Sequence, residues 1–309
     1  MFLYFLIIVL IQLQLFSSLK LNMMTSSPRS FIKYQGLGND FILVDHTHSD
    51  VVSWSPEMAA NLCDRNFGIG ADGIIFAMPP SNNCDYSMRM YNSDGTEPQM
   101  CGNGIRCMAK FLMEIEGKKD GETAKYTIHT LAGTIIPEVT KDGLVKVDMG
   151  PPTLEAPKVP TKMSATRDDG SAVDSDIIAN GITYKSTAVS MGNPHSVIFV
   201  DSLDNMEPSF ETIGPIIESH EMFPEAVNAE FVEVINRSHL RMKVWERGAG
   251  PTLACGTGAC AVLVGAVLTD RADKEATVTL PGGDLQIKWD DDNKVYMTGP
   301  AIEVFRGNI

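Results

Sequence analysis

The chain contains one internal repeat at a fixed spacing, and this feature most limits the folds it can adopt. Three segments recur 154 residues later, in identical or similar form: Gly38-Asn39 as Gly192-Asn193, Met88–Tyr91 as Met242–Trp245, and Cys101-Gly102-Asn103-Gly104 as Cys255-Gly256-Thr257-Gly258. Because the spacing is the same in all three, the repeat predicts two homologous halves of similar fold. Equivalent residues of both halves would then line the cleft between them.

Length and composition agree with two globular domains. A chain of 309 residues has room for about two domains, and its hydrophobic share of 44% and charged share of 21% are ordinary for globular proteins. The formal net charge of −14 disfavours a nucleic-acid partner, because an acidic surface repels phosphate backbones. Six cysteines are too few for a disulfide scaffold, so their positions matter more than their number.

The first thirty residues are interpreted separately from the fold. The apolar run Met1–Phe16 is shorter than the roughly 20 residues that cross a bilayer. It suits the apolar region of a targeting peptide, although the positively charged start is missing. A membrane anchor, or a start at Met23 or Met24, is the alternative. We expect residues 1–30 to be a targeting segment and the mature form to have no membrane partner.

Hydrophobic periodicity predicts strand-rich halves, each built around one helix. Tyr86–Met90 and Leu240–Val244 alternate apolar and polar side chains, which is typical of half-buried strands. Residues 102–116 carry one apolar stripe, which predicts a helix packed on one face. Residues 256–268 are apolar all round, which predicts a helix enclosed by other structure.

Turn-rich segments suggest the domain boundaries. Lys141-Asp142-Gly143 and Pro281–Asp284 are typical of hairpin turns. The proline-rich stretch Gly150–Pro160 is the best candidate linker. We therefore predict an N-terminal domain over 31–150 and a C-terminal domain over 151–299.

The repeated cysteines suggest acid–base chemistry. Cys101 and Cys255 each precede a predicted helix, whose free amides and dipole stabilise anions, so we expect the thiol pKa values to be lowered. The adjacent glycines would let a substrate carboxylate reach the backbone amides. One thiolate could remove a proton from a carbon while the opposing thiol protonates its other face, as a two-base epimerase requires. Burial as small apolar residues, the usual fate of free cysteines, is the alternative.

Two other motifs are rejected. Cys107 and Cys260 lie later in the same predicted helices, so burial is favoured for them, and a zinc site built with them has spacings that fit poorly. No metal site is expected. Gly68–Gly73 matches a dinucleotide fingerprint, but a predicted helix precedes it and a predicted strand follows it. That order is the reverse of a Rossmann unit.

Several motifs together resemble the diaminopimelate epimerase family, from about Phe31 to the C-terminus: Gly36–Phe41, Cys101–Cys107, Gly192–His195, Glu246–Gly250 and Cys255–Gly258. The resemblance implies an isomerase without cofactor, independent of pyridoxal phosphate, that interconverts LL- and meso-diaminopimelate in lysine biosynthesis. It also implies an α+β fold of two pseudo-symmetric domains, each a barrel-like mixed sheet around a central helix, with residues near 300–309 returning to the first domain.

The resemblance also assigns roles to residues. Cys101 and Cys255 resemble the base and acid, and His195 and Glu246 resemble groups that tune the thiol pKa values. The implied substrate ligands are Asn39, Asn92, Gly102, Asn103, Asn193, Asn228, Glu246, Arg247, Gly256 and Thr257. Some family members have a substrate-contacting glutamine where this chain has Gly73, so that contact is not expected here.

Related activities remain as alternatives. Proline racemases keep two thiols but bind no distal amino-acid head, which Glu246-Arg247 disfavours. Phenazine-type isomerases carry a carboxylate where the cysteines stand. A non-catalytic amino-acid-binding protein would not need two equivalent thiols.

Location and assembly are inferred only by resemblance. A plant-type or algal-type enzyme of this kind would be plastidic, with the cytoplasm as the alternative. Secretion is disfavoured because thiol catalysis suits a reducing compartment. A homodimer is one alternative for the oligomeric state.

Overall fold

The computed structural model describes residues 30–52, 54–119 and 121–309. The predicted targeting segment, apart from Ser30, lies outside the described residues. The four α-helices of the described part are α1 (Pro56–Cys63), α2 (Gly102–Ile115), α3 (Phe210–Glu218) and α4 (Gly256–Leu268). No helix in these ranges is long and apolar enough to span a bilayer.

The described chain contains more β-strand than α-helix. In sequence order they are β1 (Ser30–Gly36), β2 (Asn39–Asp45), β3 (Gly73–Met78), β4 (Tyr86–Asn92), β5 (Ala124–Lys125), β6 (Ile128–Thr130), β7 (Gly133–Ile135), β8 (Pro137–Val139), β9 (Val145–Asp148), β10 (Ser175–Ala179), β11 (Ile182–Ser190), β12 (Pro194–Phe199), β13 (Asn228–Asn236), β14 (His239–Glu246), β15 (Gly250–Pro251), β16 (Glu275–Leu280), β17 (Gly283–Trp289), β18 (Val295–Gly299) and β19 (Ile302–Asn308).

The strands form two mixed sheets that share elements of both halves. The seven-stranded sheet has the order β19-β1-β2-β3-β4-β6-β7. The twelve-stranded sheet has the order β10-β11-β12-β13-β14-β16-β17-β18-β9-β8-β5, with β15 paired to β14. The last strand, β19, thus pairs with the first strand, β1. Strand β9 of the first half pairs with β18 of the second half. The division of domains at residue 150 stays a prediction.

The two halves share one topology. Both β1–β2 and β11–β12 are antiparallel, β2–β3 and β12–β13 are parallel, β3–β4 and β13–β14 are antiparallel, and β4–β6 and β14–β16 are parallel. Helices α1 and α3 occupy equivalent connections, as do α2 and α4. The prediction of an α+β fold with two pseudo-symmetric domains is confirmed.

The two central helices pack as their sequences predict. In α2 the apolar stripe is buried, with Ile105, Met108 and Leu112 fully enclosed. Helix α4 is buried on nearly all sides from Gly256 to Ala266. Side chains of both helices belong to one continuous core, so burial of apolar surface, worth about 1.5–3 kcal/mol for each large side chain, ties the two halves together.

The proline-rich stretch that the sequence suggests as a linker is instead ordered against the second half. Thr153 exchanges two backbone hydrogen bonds with Ser190, both 2.9 Å long. A short 3₁₀ turn follows at Ala156–Lys158, and Ala156 and Val159 are buried. Proline fixes the backbone locally but does not prevent its neighbours from packing, so composition alone was misleading here.

Candidate active site

The N-termini of the two central helices face one cleft. The cleft has a volume of about 1020 Å³ and is lined from both halves by Cys101, Gly102, Asn103, Cys255, Gly256 and Thr257. The Asn103 Nδ2 donates a hydrogen bond of 3.3 Å to the carbonyl oxygen of Ala254, the residue before Cys255. The two helix starts therefore lie within one side-chain length of each other.

Each cleft cysteine is the N-cap of its helix. Cys101 and Cys255 have extended backbones, with φ of −136° and −122°. Their Sγ atoms accept hydrogen bonds from the amides of Gly104 and Gly258, both 3.4 Å long. A Cβ at Gly258 would lie 3.1 Å from Cys255 Sγ and 2.9 Å from an oxygen of Glu230. Glycine thus allows the thiol and that carboxylate to approach the helix closely.

The expected lowering of the thiol pKa values is wrong. Burial raises the pKa of Cys101, although the amides of Gly104 and Asn103 oppose the shift. Burial also raises the pKa of Cys255, and the carboxylates of Glu246 and Glu230 raise it further. The free energy lost by removing a thiolate from water is larger here than the stabilisation that the helix-start amides provide. The motif alone did not show that the cysteines would be buried.

Two predicted asparagine ligands line the cleft from the first half. Asn39 Nδ2 donates to Asp72 Oδ2 at 2.7 Å, and Asn39 Oδ1 accepts from Asn103 Nδ2 at 3.1 Å. The Cys101 thiol also lies 3.8 Å from Asn39 Oδ1. Asn92 ends β4 and donates to Thr96 Oγ1 at 3.0 Å. Both amides are therefore held in place by neighbouring side chains.

A charged network behind Asn39 was missed by the sequence analysis. Arg65 Nη2 lies 2.7 Å from Asp40 and 2.8 Å from Asp72. Lys33, largely buried, lies 2.7 Å from Asp40. Although burial opposes the shift, Arg65 and Lys33 hold the pKa of Asp40 below its ordinary value. The network fixes the carboxylate that orients Asn39, and no motif links its members along the chain.

Glu246, Arg247 and Asn193 line the cleft from the second half. Glu246 Oε1 accepts a 2.5 Å hydrogen bond from Thr252 Oγ1. Burial raises the pKa of Glu246, against the effects of Thr252 and the neighbouring Cys255 thiol. Arg247 lines the cleft, and its Nη1 donates to the carbonyl of Glu225 at 3.2 Å.

Two of the predicted residues lie behind the cleft wall rather than on it. His195 is fully buried, and its Nε2 lies 3.0 Å from Asn193 Oδ1. Asn228 is buried, donates to the Pro194 carbonyl at 2.9 Å, and accepts from the Arg247 amide at 3.0 Å. Asn228 therefore supports the backbone at Arg247, and His195 supports Asn193.

A buried carboxylate completes this layer. Glu230 Oε1 lies 2.6 Å from His195 Nδ1, and both side chains are fully enclosed. Burial raises the pKa of Glu230, while His195 opposes that shift. The sequence analysis did not single out Glu230. A charge inside the apolar run Ala229–Val232 was the available signal, because a buried carboxylate needs a partner.

Comparison with known proteins places the chain in a family. The family model described as diaminopimelate epimerase matches residues 31–155 and 187–304. The chain is 57% identical to the chloroplastic diaminopimelate epimerase of Oryza sativa subsp. japonica over 285 residues, which cover 90% of this chain and 79% of that one. It is 55% identical to the diaminopimelate epimerase of Acaryochloris marina, with 90% of this chain and 97% of that one covered.

Solved structures share the fold at low identity. A hydroxyproline epimerase from Agrobacterium vitis superposes with a TM-score of 0.64 at 12% identity, over 92% of this chain and 93% of that one. A phenazine biosynthesis protein of the PhzF family from Bacillus anthracis gives a TM-score of 0.64 at 17% identity, over 92% and 99%. These two likenesses concern the fold alone. The family model and the relatives above half identity show that the chain belongs to the diaminopimelate epimerase family.

Proposed function

We propose that this protein interconverts LL- and meso-diaminopimelate in lysine biosynthesis, with Cys101 and Cys255 as the base and acid. The observation that carries the proposal is that two equivalent thiols cap two equivalent helices at one cleft. The names of the relatives support the substrate.

The geometry suits proton exchange at one carbon. A thiolate on one side takes the α-proton, and the electron pair of the broken C–H bond stays on the carbon beside its carboxylate. The thiol on the other side gives its proton to the opposite face, which inverts the centre. At the end the two thiols have exchanged protonation states, so no proton or electron is gained or lost.

The helix starts would stabilise the charge that develops. The amides near Gly102-Asn103 and Gly256-Thr257 begin α2 and α4, where unpaired N–H groups favour a carboxylate and the enolate-like charge that spreads onto it. Asn39, Asn92 and Asn193 and the charged pair Glu246-Arg247 also line the cleft. They would bind the remaining ammonium and carboxylate groups of a substrate with two amino-acid heads.

The direct test is turnover by the purified chain. Chiral separation of LL- and meso-diaminopimelate should show conversion from either isomer. Because the proposed chemistry uses only thiols, EDTA and hydroxylamine should each leave the rate unchanged while the protein stays folded. Loss of activity under either reagent would contradict the cofactor-independent mechanism, and turnover of proline or hydroxyproline instead would favour the related racemases.

We also propose a plastid location. The two Oryza sativa relatives are named as chloroplastic, and residues 1–30 contain the apolar run expected of a targeting segment. Residues 1–30 fused to a fluorescent reporter should direct it to plastids in an algal or plant cell, whereas the reporter alone should stay in the cytosol. A secreted fusion, or one that remains cytosolic, would contradict the proposal. A homodimer stays a prediction.

A further inference from the structure

The surroundings of the two thiols differ although their helices are equivalent. Phe41 and His195 are 154 residues apart and occupy the same register: Phe41 faces Gly73 in β3, and His195 faces Asn228 in β13. Two residues further along these strands, Ile75 corresponds to Glu230. The first half thus has Phe41 and Ile75 where the second half has the His195–Glu230 pair.

These corresponding residues face equivalent points of the two helices. A Cβ at Gly104 would lie 2.9 Å from Ile75 Cδ1, and a Cβ at Gly258 would lie 2.9 Å from Glu230 Oε1. The amides of Gly104 and Gly258 each donate to the sulfur of the cysteine three residues earlier. The helix start beside Cys101 therefore lies next to a methyl group of Ile75, whereas the helix start beside Cys255 lies next to the carboxylate of Glu230.

The first half also differs from the second by a buried cation. Arg106 lies in α2 and is fully buried, and its equivalent in α4 is the uncharged Cys260. Its guanidinium donates to the carbonyls of Pro300 at 3.1 Å and Gly102 at 3.4 Å, and lies 3.6 Å from the Met297 sulfur. Among the described residues, its Nη2 has no hydrogen-bond partner. None of its hydrogen-bond partners in the described chain is a carboxylate, so this buried charge lacks a fixed counter-ion.

His195 and Glu230 share one proton between them. Because Asn193 Oδ1 is an acceptor, His195 Nε2 donates to it. The remaining ring nitrogen, Nδ1, lies 2.6 Å from Glu230 Oε1. Two acceptors would repel at that distance, so one proton lies between them. The carboxylate end of the pair faces the Cys255 side.

We propose that these buried residues set the order in which the two thiols ionise, so that Cys101 loses its proton before Cys255 does. Arg106 and Glu230 act as positioning residues for charge, since they influence the thiols without needing to touch substrate. The proposal deepens the two-base function argued above and rests on it for its catalytic meaning.

The groups that face each thiol support this order. Cys101 is faced by the amides of Asn103 and Gly104 and by Arg106, all of which lower its pKa against burial, and by Glu246, which raises it. Glu246 also raises the pKa of Cys255, so it does not distinguish the two thiols.

The difference comes from the groups that act on one thiol only. Glu230 raises the pKa of Cys255, and Thr257 and the Gly258 amide are the groups that lower it there. Arg106 lowers the pKa of Cys101, and Glu230 raises that of Cys255. Cys101 should therefore ionise first.

The consequence is a difference between the two directions of reaction. An epimer whose α-hydrogen faces Cys101 uses the thiol that ionises first. The opposite epimer needs Cys255 as the thiolate, which is the thiol that ionises second.

Alkylation of the ligand-free full chain tests the order of ionisation. Iodoacetamide is applied briefly across a range of pH, and peptide mass spectrometry gives the rate at Cys101 and at Cys255. The midpoint pH of each profile is compared, because access changes the rate but not the midpoint. The midpoint of Cys101 should be the lower one. Equal midpoints or the reverse order would overturn the proposal, and no variant is needed for that result.

Isosteric variants test the residues named. Glu230→Gln should lower the midpoint of Cys255, and its alkylation below that midpoint should become faster, because the substitution removes a carboxylate that raises the Cys255 pKa. Cys101 should be unchanged. Glu233→Gln is the matched control on the same strand, since Glu233 pairs with the Leu203 amide and Arg241 instead. It should move neither midpoint.

The cationic side is tested in the same way. Arg106→Gln should raise the midpoint of Cys101, and Arg106→Lys, which keeps the charge, should restore it.

A Glu230→Gln variant with an unchanged Cys255 midpoint would overturn the role of Glu230. Alkylation does not depend on turnover. If the midpoints are as expected but the protein does not act on diaminopimelate, the proposed function is refuted and the charge asymmetry is not.

Discussion

Replacing Cys101 or Cys255 with alanine should each abolish epimerisation, with kcat reduced by about 10²–10⁴-fold or more in both directions, because inversion needs one base and one acid. The two thiols line the same cleft and cap equivalent helices. The measurement is conversion of LL- to meso-diaminopimelate and the reverse, followed by chiral separation. A variant with near-native turnover would remove that cysteine from the mechanism.

A deuterium experiment makes this prediction sharper. In heavy water, each single variant keeps one thiol and should exchange the α-hydrogen of only the epimer that this thiol faces, without inverting it. The two variants should therefore label opposite epimers. Cys107→Ala is the matched control, since Cys107 lies in α2 but is fully buried in the core. It should retain inversion.

Oxidation should also abolish activity reversibly, through a disulfide between Cys101 and Cys255. A disulfide needs Cα atoms within about 7 Å, and the contact of Asn103 with the Ala254 carbonyl brings the two helix starts close together. Mild oxidant should inactivate the enzyme, a reductant should restore it, and a bound substrate analogue should protect it by standing between the thiols.

Peptide mapping without reductant identifies the bond. Cys63 and Cys84, the cysteines outside the two central helix segments, are both buried, which makes them poor competitors for oxidant. An inactive oxidised enzyme without a Cys101–Cys255 cross-link would contradict this prediction. Cys255→Ala should form no such cross-link and serves as the control.

The main elements of the fold could be predicted because their signals are local. The apolar stripe in residues 102–116 and the uniformly apolar residues 256–268 correspond to α2 and α4, which begin at Gly102 and Gly256 as expected. The helix-then-strand order around Gly68–Gly73 is also observed, with α1 before it and β3 beginning at Gly73. The fixed spacing of the repeat then predicted the pseudo-symmetry.

The parts that escaped prediction depend on contacts distant in sequence. His195 and Glu230 meet only because β12 and β13 are parallel neighbours in a particular register, and a single sequence does not specify register. The raised thiol pKa values come mainly from burial, which depends on the packed fold. Arg106 lies inside a recognised motif, but only the packed structure shows that its guanidinium is buried and donates to backbone carbonyls.

The pairing of β19 with β1 has a consequence for how the polypeptide matures. During synthesis the amino-terminal part emerges first, yet the outer edge of β1 has no partner until residues 302–308 have left the ribosome. One edge of β9 likewise has no partner until β18 has been synthesised. An unpaired strand edge promotes association with other chains, so the nascent first half should depend on chaperones until translation is almost complete. Fragments that end before residue 300 should accumulate as aggregates.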